Sequence, residues 1–157
     1  MPDFTDRPIR ILFLCTSNSA RSQMAEALLR HYGGERFEVH SAGTIPRERI
    51  NPLTEVVMDA ITISLAGQYP KGLDSVSAEG WDYIITTCDQ AQEACPVFPD
   101  DPEHIHWGLE DPAKVEGTQE ERLRAFRRVR DEIKRRVHLF IKLPHMAPVF
   151  GWLRAER

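Results

Sequence analysis

Cys15-Thr16-Ser17-Asn18-Ser19-Ala20-Arg21-Ser22 is the stretch from which the rest of the chain can be read. It follows the largely apolar run from Ile9 to Leu14. It opens a segment, Ser22 to Tyr32, in which Met24, Ala25, Leu28, Leu29 and Tyr32 recur at helical spacing. A buried strand therefore ends at a cysteine, a loop of small residues follows, and a helix begins at the arginine. That geometry gathers backbone N–H groups and the positive end of a helix dipole on one point. A tetrahedral oxyanion fits there, cradled by the loop from Thr16 through Ser17, Asn18, Ser19 and Ala20 to Ser22 and gripped by the Arg21 fork. The same field favours a thiolate at Cys15, because cysteines in such surroundings fall from ~8.5 to roughly 3.5–7.5. A lone cysteine at a strand end would instead be read as buried and inert; the loop and the arginine weigh against that here.

The chain has 157 residues, enough for one domain with a proper core. Its formal charge of −4 implies no basic face and argues against nucleic-acid binding. The one basic cluster, Arg122 to Arg136, is interleaved with Glu120, Glu121, Asp131 and Glu132 and reads as a solvated helix face. The N-terminal apolar run is too short for a signal peptide, and no stretch is long enough to cross a membrane. A cytoplasmic monomer is expected. Three cysteines, an odd number, do not suggest a secreted disulfide scaffold and are better read as chemistry.

Along the chain, Gly33-Gly34 stops the first helix. Phe37 to Ser41 alternates as a second strand. Asn51-Pro52 has the cap-then-proline form of a helix start, with Leu53, Val56, Val57, Ala60 and Ile61 following at helical intervals. Residues 62–73 form a loop-rich passage. Tyr83 to Thr87 is a β-branched third strand ending at Cys88, and Asp89 to Ala94 a short exposed helix broken at Cys95-Pro96. Ile105 to Trp107 is a fourth strand. Thr118-Gln119-Glu120-Glu121 is a capping box. It opens a helix whose stripe is Leu123, Phe126, Val129, Ile133, Val137, Phe140 and Ile141. The alternation predicts a single-domain α/β fold over residues 1–144, an open parallel four-stranded sheet with helices on both faces. A tail, residues 145–157, follows without assigned structure. Active residues should lie at the carboxyl ends of the strands, where Cys15, Cys88 and Asp111 fall.

The segment from Leu14 to Ala27 resembles the signature of the low-molecular-weight tyrosine phosphatase and arsenate reductase superfamily, a Rossmann-type fold. Ser22-Gln23-Met24-Ala25-Glu26 is similar to its reductase branch. The resemblance runs from about Ile9 to Leu143. It implies that Cys15 attacks a bound phosphate or arsenate, and that Asp111, in Asp111-Pro112, serves as general acid. A loop-capping aspartate is the other reading of Asp111. Cys88 to Cys95 resembles the redox pair of thioredoxin-coupled arsenate reductases. The implied cascade uses Cys15, then Cys88, then Cys95, with thioredoxin as partner and reductant and no cofactor. Cys88 too, at a strand end before a helix, should have a depressed pKa.

Other readings of the same residues are a phosphatase, an oxyanion-sensing module, and a zinc site from Cys88, Cys95, His104 and His106. The cysteine spacing exceeds a zinc knuckle, and Ala113-Lys114 stands where eukaryotic phosphatases carry a tyrosine pair. The six histidines and Trp81, Trp107 and Trp152 are expected to be surface or packing residues. Some relatives carry a cysteine where this chain has Ala20. Some bind potassium through groups matching Asn18, Glu26 and Ser41; Lys71 stands where a further ligand would be, so its ammonium is expected to replace the ion.

Overall fold

A computed structural model describes residues 7–143. The tail from residue 145 and Trp152 lie outside the described residues. Four strands, β1 (Ile9–Cys15), β2 (Phe37–Gly43), β3 (Tyr83–Thr86) and β4 (Glu103–His106), form one sheet in the order β2-β1-β3-β4. Every pairing is parallel. β1 sits centrally because it is apolar toward both sides: Ile11, Phe13, Leu12 and Leu14 are all fully buried.

Its two faces meet different partners. Ile9, Ile11 and Phe13 pack with α1 (Arg21–Gly33), α2 (Pro52–Asp59) and the long α4 (Gln119–Lys142). Leu12, Leu14 and Ile84 pack on the other side with Trp81, Phe98 and Ala91 of the short α3 (Asp89–Glu93). The helices therefore cover both faces, as the alternating pattern predicts. Among the described residues no helix is long and apolar enough to cross a membrane.

The helix starts follow their local chemistry. Asn51 caps α2, its side chain accepting from the Leu53 amide with Pro52 behind it. Thr118 caps α4 by accepting from the Glu121 amide. The α4 stripe is buried at Phe126, Val129, Ile133, Val137 and Phe140, while Leu123 and Ile141 pack at its edge.

Two expectations fail on packing. Val56, read as part of the apolar face of α2, is half exposed, and Met58 takes its place in the core. α2 is short and ends at Asp59, so its inward face is set by Leu53, Val57 and Met58 rather than by a long stripe. Arg130, read as solvated, is buried: its guanidinium donates to the Val57 carbonyl at 2.8 Å and ties α4 to the C-terminal half of α2. The arginine stem covers apolar surface while its head finds an acceptor.

Candidate active site

The loop after β1 lies at the carboxyl edge of the sheet, and a strap from the next crossover holds it open. The carbonyls of Cys15, Thr16, Ser17 and Ser19 accept from the amides of Thr44, Ile45, Arg47 and Asn51 at 2.9–3.0 Å. With every peptide trans among the described residues, the amides of Thr16, Ser17, Asn18 and Ala20 must point the opposite way. The strap thus turns the carbonyls outward and leaves the N–H groups facing the middle of the loop, the arrangement an oxyanion needs. Gly43 permits the strap to come this close. A Cβ there would stand 2.5 Å from the Thr16 carbonyl oxygen.

Asn18 shapes the turn. It has φ 50, a left-handed conformation that asparagine tolerates better than most residues. Its side chain is fully buried. Its amide nitrogen donates to Ser22 Oγ and Ser41 Oγ, and its oxygen accepts from Gln23 Nε2 and the Lys71 amide, all at 2.8–3.0 Å. Gln23, also fully buried, donates in addition to the Asn18 carbonyl. The network is complete, since among the described residues no buried side-chain nitrogen or oxygen lacks a partner.

Arg21 is the first residue of α1, and its guanidinium reaches the segment after β4. It donates to the Leu109 carbonyl at 3.1 Å and stands 3.6 Å from Asp111 Oδ2. Asp111 uses its other oxygen to accept from the Ala113 amide at 3.0 Å. One oxygen thus caps the turn at Pro112–Lys114, and the other lies beside the Arg21 guanidinium. Leu109 and Asp111 bring the loop after β4 to the mouth of the loop after β1.

Cys15 and Cys88 meet at that mouth. Cys88 is the N-cap of α3, its sulfur 3.4 Å from the Ala91 amide and 3.3 Å from Thr16 Oγ1. The two thiols lie in one buried cluster, and each shifts the ionisation of the other. Cys88 is pushed down to about 5, chiefly by its interaction with Cys15, then by the hydrogen bonds from Thr16 and the Ala91 amide. Cys15 is pushed up, chiefly by its interaction with Cys88 and then by burial; Arg21 opposes this only in part. This corrects the expectation of a depressed pKa at both sulfurs. Two thiolates in contact would repel, so the pair releases its first proton easily and its second with difficulty. Before an oxyanion arrives, the charge rests on Cys88.

Cys95 lies on the same side of the sheet, packed against the cluster that holds Cys88 and half-buried. Burial raises its pKa. All three cysteines are free thiols. α3 and the turn after it separate Cys88 from Cys95, so the structure brings Cys15 and Cys88 together but sets Cys95 apart.

Lys71 approaches the proposed cation position from one side. Its ammonium lies 3.8 Å from Glu26 Oε1 and donates to the Tyr69 carbonyl at 3.4 Å. Glu26 is buried and accepts from Ser41 Oγ at 2.8 Å. Asn18 meets Lys71 through the backbone amide only, as given above. A cavity of about 270 Å³ opens beside the ammonium, bordered by Arg30, His40 and Gln68. Cys88, Cys95, His104 and His106 do not converge: His106 is turned to Asp89, and among the described residues no cluster of metal-ligating groups is present. The sequence reading missed Gly43, the strap, Gln23 and the Thr16–Cys88 contact; only the glycine at a strand end gave any local signal.

Residues 10–145 match the family described as low molecular weight phosphotyrosine protein phosphatase. An arsenate reductase of Halalkalibacterium halodurans is 44% identical over 83% of this chain and 93% of its own length. One from Bacillus subtilis is 41% identical over the same shares. A solved thioredoxin-dependent arsenate reductase of Corynebacterium glutamicum superposes with a TM-score of 0.69 at 28% identity, over 88% of this chain and 64% of that one.

Proposed function

Because the chain belongs to the low molecular weight phosphotyrosine protein phosphatase family, we propose that it is an arsenate reductase working through Cys15, Cys88 and Cys95 in turn. The observation that carries the reading is that Cys88 is buried in the same cluster as Cys15 at the mouth of the cradle, its sulfur 3.3 Å from Thr16 Oγ1. Hydrolysis of a phosphate ester needs Cys15, Arg21 and Asp111 and has no use for a second thiol poised against the nucleophile.

Arsenate enters the cradle against the loop amides and Arg21. The Cys15 proton passes to Cys88, and the Cys15 thiolate attacks arsenic. Asp111 protonates the departing oxygen, which leaves as water. Cys88, deprotonated again with the help of Thr16 and the Ala91 amide, attacks the Cys15 sulfur. The sulfur–arsenic bond breaks with its electron pair on arsenic, so arsenic(V) becomes arsenic(III) and leaves as arsenite. The two sulfurs are joined as a disulfide. Cys95 then attacks Cys88, which expels the Cys15 thiolate and moves the disulfide to Cys88–Cys95. A thioredoxin dithiol reduces that bond; the thioredoxin-dependent relative supports this choice of reductant.

The cradle and Asp111 also suit a phosphate monoester, so slow hydrolysis is expected beside reduction. Arsenate-dependent NADPH oxidation, supplied with thioredoxin and its reductase, is to be measured next to hydrolysis of an aryl phosphate. Cys15→Ser should abolish both. Cys88→Ala should abolish turnover with arsenate and spare hydrolysis. Strong hydrolysis without arsenate-dependent turnover in the unmodified protein would identify a phosphatase instead.

A further inference from the structure

His106 is the last residue of β4 and lies opposite Thr86 in the sheet. Its Nδ1 is 2.7 Å from Thr86 Oγ1 and its Nε2 is 2.9 Å from Asp89 Oδ1. A carboxylate only accepts, so Nε2 carries the proton and donates to Asp89. Nδ1 of the neutral ring then accepts from the Thr86 hydroxyl. The imidazole is thereby fixed in one orientation by the end of β3, and it grips the first residue of α3. Two positions earlier on the same face of β4, His104 Nδ1 lies 4.0 Å from Cys95 Sγ, at the far end of the same segment.

α3 has five residues, too few to persist on its own backbone bonds. What holds it is visible: Ala91 is fully buried beneath it, Cys88 caps it, Gln90 meets the Thr16 hydroxyl at 3.3 Å, and Asp89 is held by His106. Asp89 itself is largely exposed and would otherwise be free to leave. Its side chain is tied to a strand that the cascade does not move.

We propose that His106 is a positioning residue for the redox segment: through Asp89 it holds α3 in the helical, reduced arrangement that keeps Cys88 against Thr16 and Cys15, and it must release Asp89 before Cys95 can pair with Cys88. This rests on the three-cysteine reading given above. In that reading the cap weakens once Cys88 is bonded to Cys15, because a disulfide sulfur is a poor acceptor for the Ala91 amide. The Asp89–His106 bond is then, with the Gln90–Thr16 contact, what remains of the polar hold on the start of α3. Because the tether exists only in the helical form, it favours the dithiol over the Cys88–Cys95 disulfide.

The test is the equilibrium of that couple in glutathione redox buffers, read by mass spectrometry in a Cys15→Ser background that keeps a hydroxyl donor beside Cys88. Each oxidation converts one glutathione disulfide into two glutathiones, so the electrons balance. Asp89→Ala and His106→Ala should each favour the disulfide by about fivefold, a midpoint about 20 mV more negative. The double variant should move no further than either single one. His106→Gln, which retains a donor toward Asp89, should return most of the shift. Additive shifts, or a midpoint unchanged in His106→Ala, would overturn the positioning role while leaving the cascade intact. Failure of the Cys15→Ser parent to form any Cys88–Cys95 bond would overturn the cascade and this role together.

Discussion

Thr16 Oγ1 lies 3.3 Å from Cys88 Sγ although 72 positions separate the two residues in the chain. Thr16 is the first residue of the cradle, and Cys88 is the cap of the redox helix. One hydroxyl thus couples the oxyanion site to the second thiol, which lies in the same buried cluster as Cys15. The first proton to leave this pair should do so near pH 5 and come from Cys88.

Thiolate absorbance should therefore rise by one equivalent with a midpoint at about 5, with further thiolates forming only above the ordinary cysteine range. The sign is fixed: the charge is present above this midpoint and lost as pH falls through it. Cys15→Ala removes the largest cause and should raise the midpoint, whereas Cys15→Ser, with a hydroxyl donor, should raise it less. Thr16→Val should raise it modestly. A first midpoint near 8.5, the ordinary value for a free cysteine, would show that the two sulfurs do not shift each other's ionisation.

Gly43 should accept no side chain. A methyl 2.5 Å from the Thr16 carbonyl forces strap and loop apart. Gly43→Ala should keep the fold with a loss of roughly 1–3 kcal/mol, typical of overpacking. Its loop amides would no longer converge, so phosphate should inhibit at least tenfold less well. Unchanged phosphate inhibition would mean that the strap does not set the cradle.

Lys71 replaces an ion in this account. Potassium should neither raise the melting temperature nor improve the Michaelis constant, and Lys71→Asp should create potassium dependence by leaving the Glu26 carboxylate with a second acidic neighbour. Burial already lowers the Lys71 pKa while Glu26 opposes that shift. Potassium-specific stabilisation of the unmodified protein, absent with sodium, would remove the idea.

How far the sequence led depends on how local each cause is. The strand ending at Cys15, the helix opening at Arg21 and the caps at Asn51 and Thr118 rest on neighbouring residues, and all stand where the pattern puts them. Gly43 and the strap at residues 44–51 depend on a second segment passing close to the first, which no periodicity reports. Arg130 reads as a charge on a helix face until the Val57 carbonyl is seen beneath it. The pKa pattern was misread for a related reason. Each cysteine taken alone sits in a positive field, and only their contact shows that one proton must stay.

Oxidation should unwind α3. Cys88 and Cys95 are seven positions apart, a rise of roughly 10 Å on an intact helix at ~1.5 Å per residue, and a disulfide spans at most ~7 Å between Cα atoms. Hydrogen exchange on the reduced and oxidised protein should show protection lost across Asp89 to Ala94 on oxidation, with the rest of the sheet unchanged. Equal protection, with the Cys88–Cys95 bond confirmed by mass spectrometry, would refute the switch.

The most direct measurement is a single turnover of Cys95→Ala with arsenate in the absence of any reductant. The account predicts about one arsenite released per protein, a burst that then stops, and a Cys15–Cys88 disulfide identified by mass spectrometry after acid quench. Cys88→Ala treated in the same way should release none. Arsenite released by Cys88→Ala, or a Cys95→Ala protein that releases arsenite with both Cys15 and Cys88 still reduced, would contradict the transfer of electrons from these two sulfurs to arsenic.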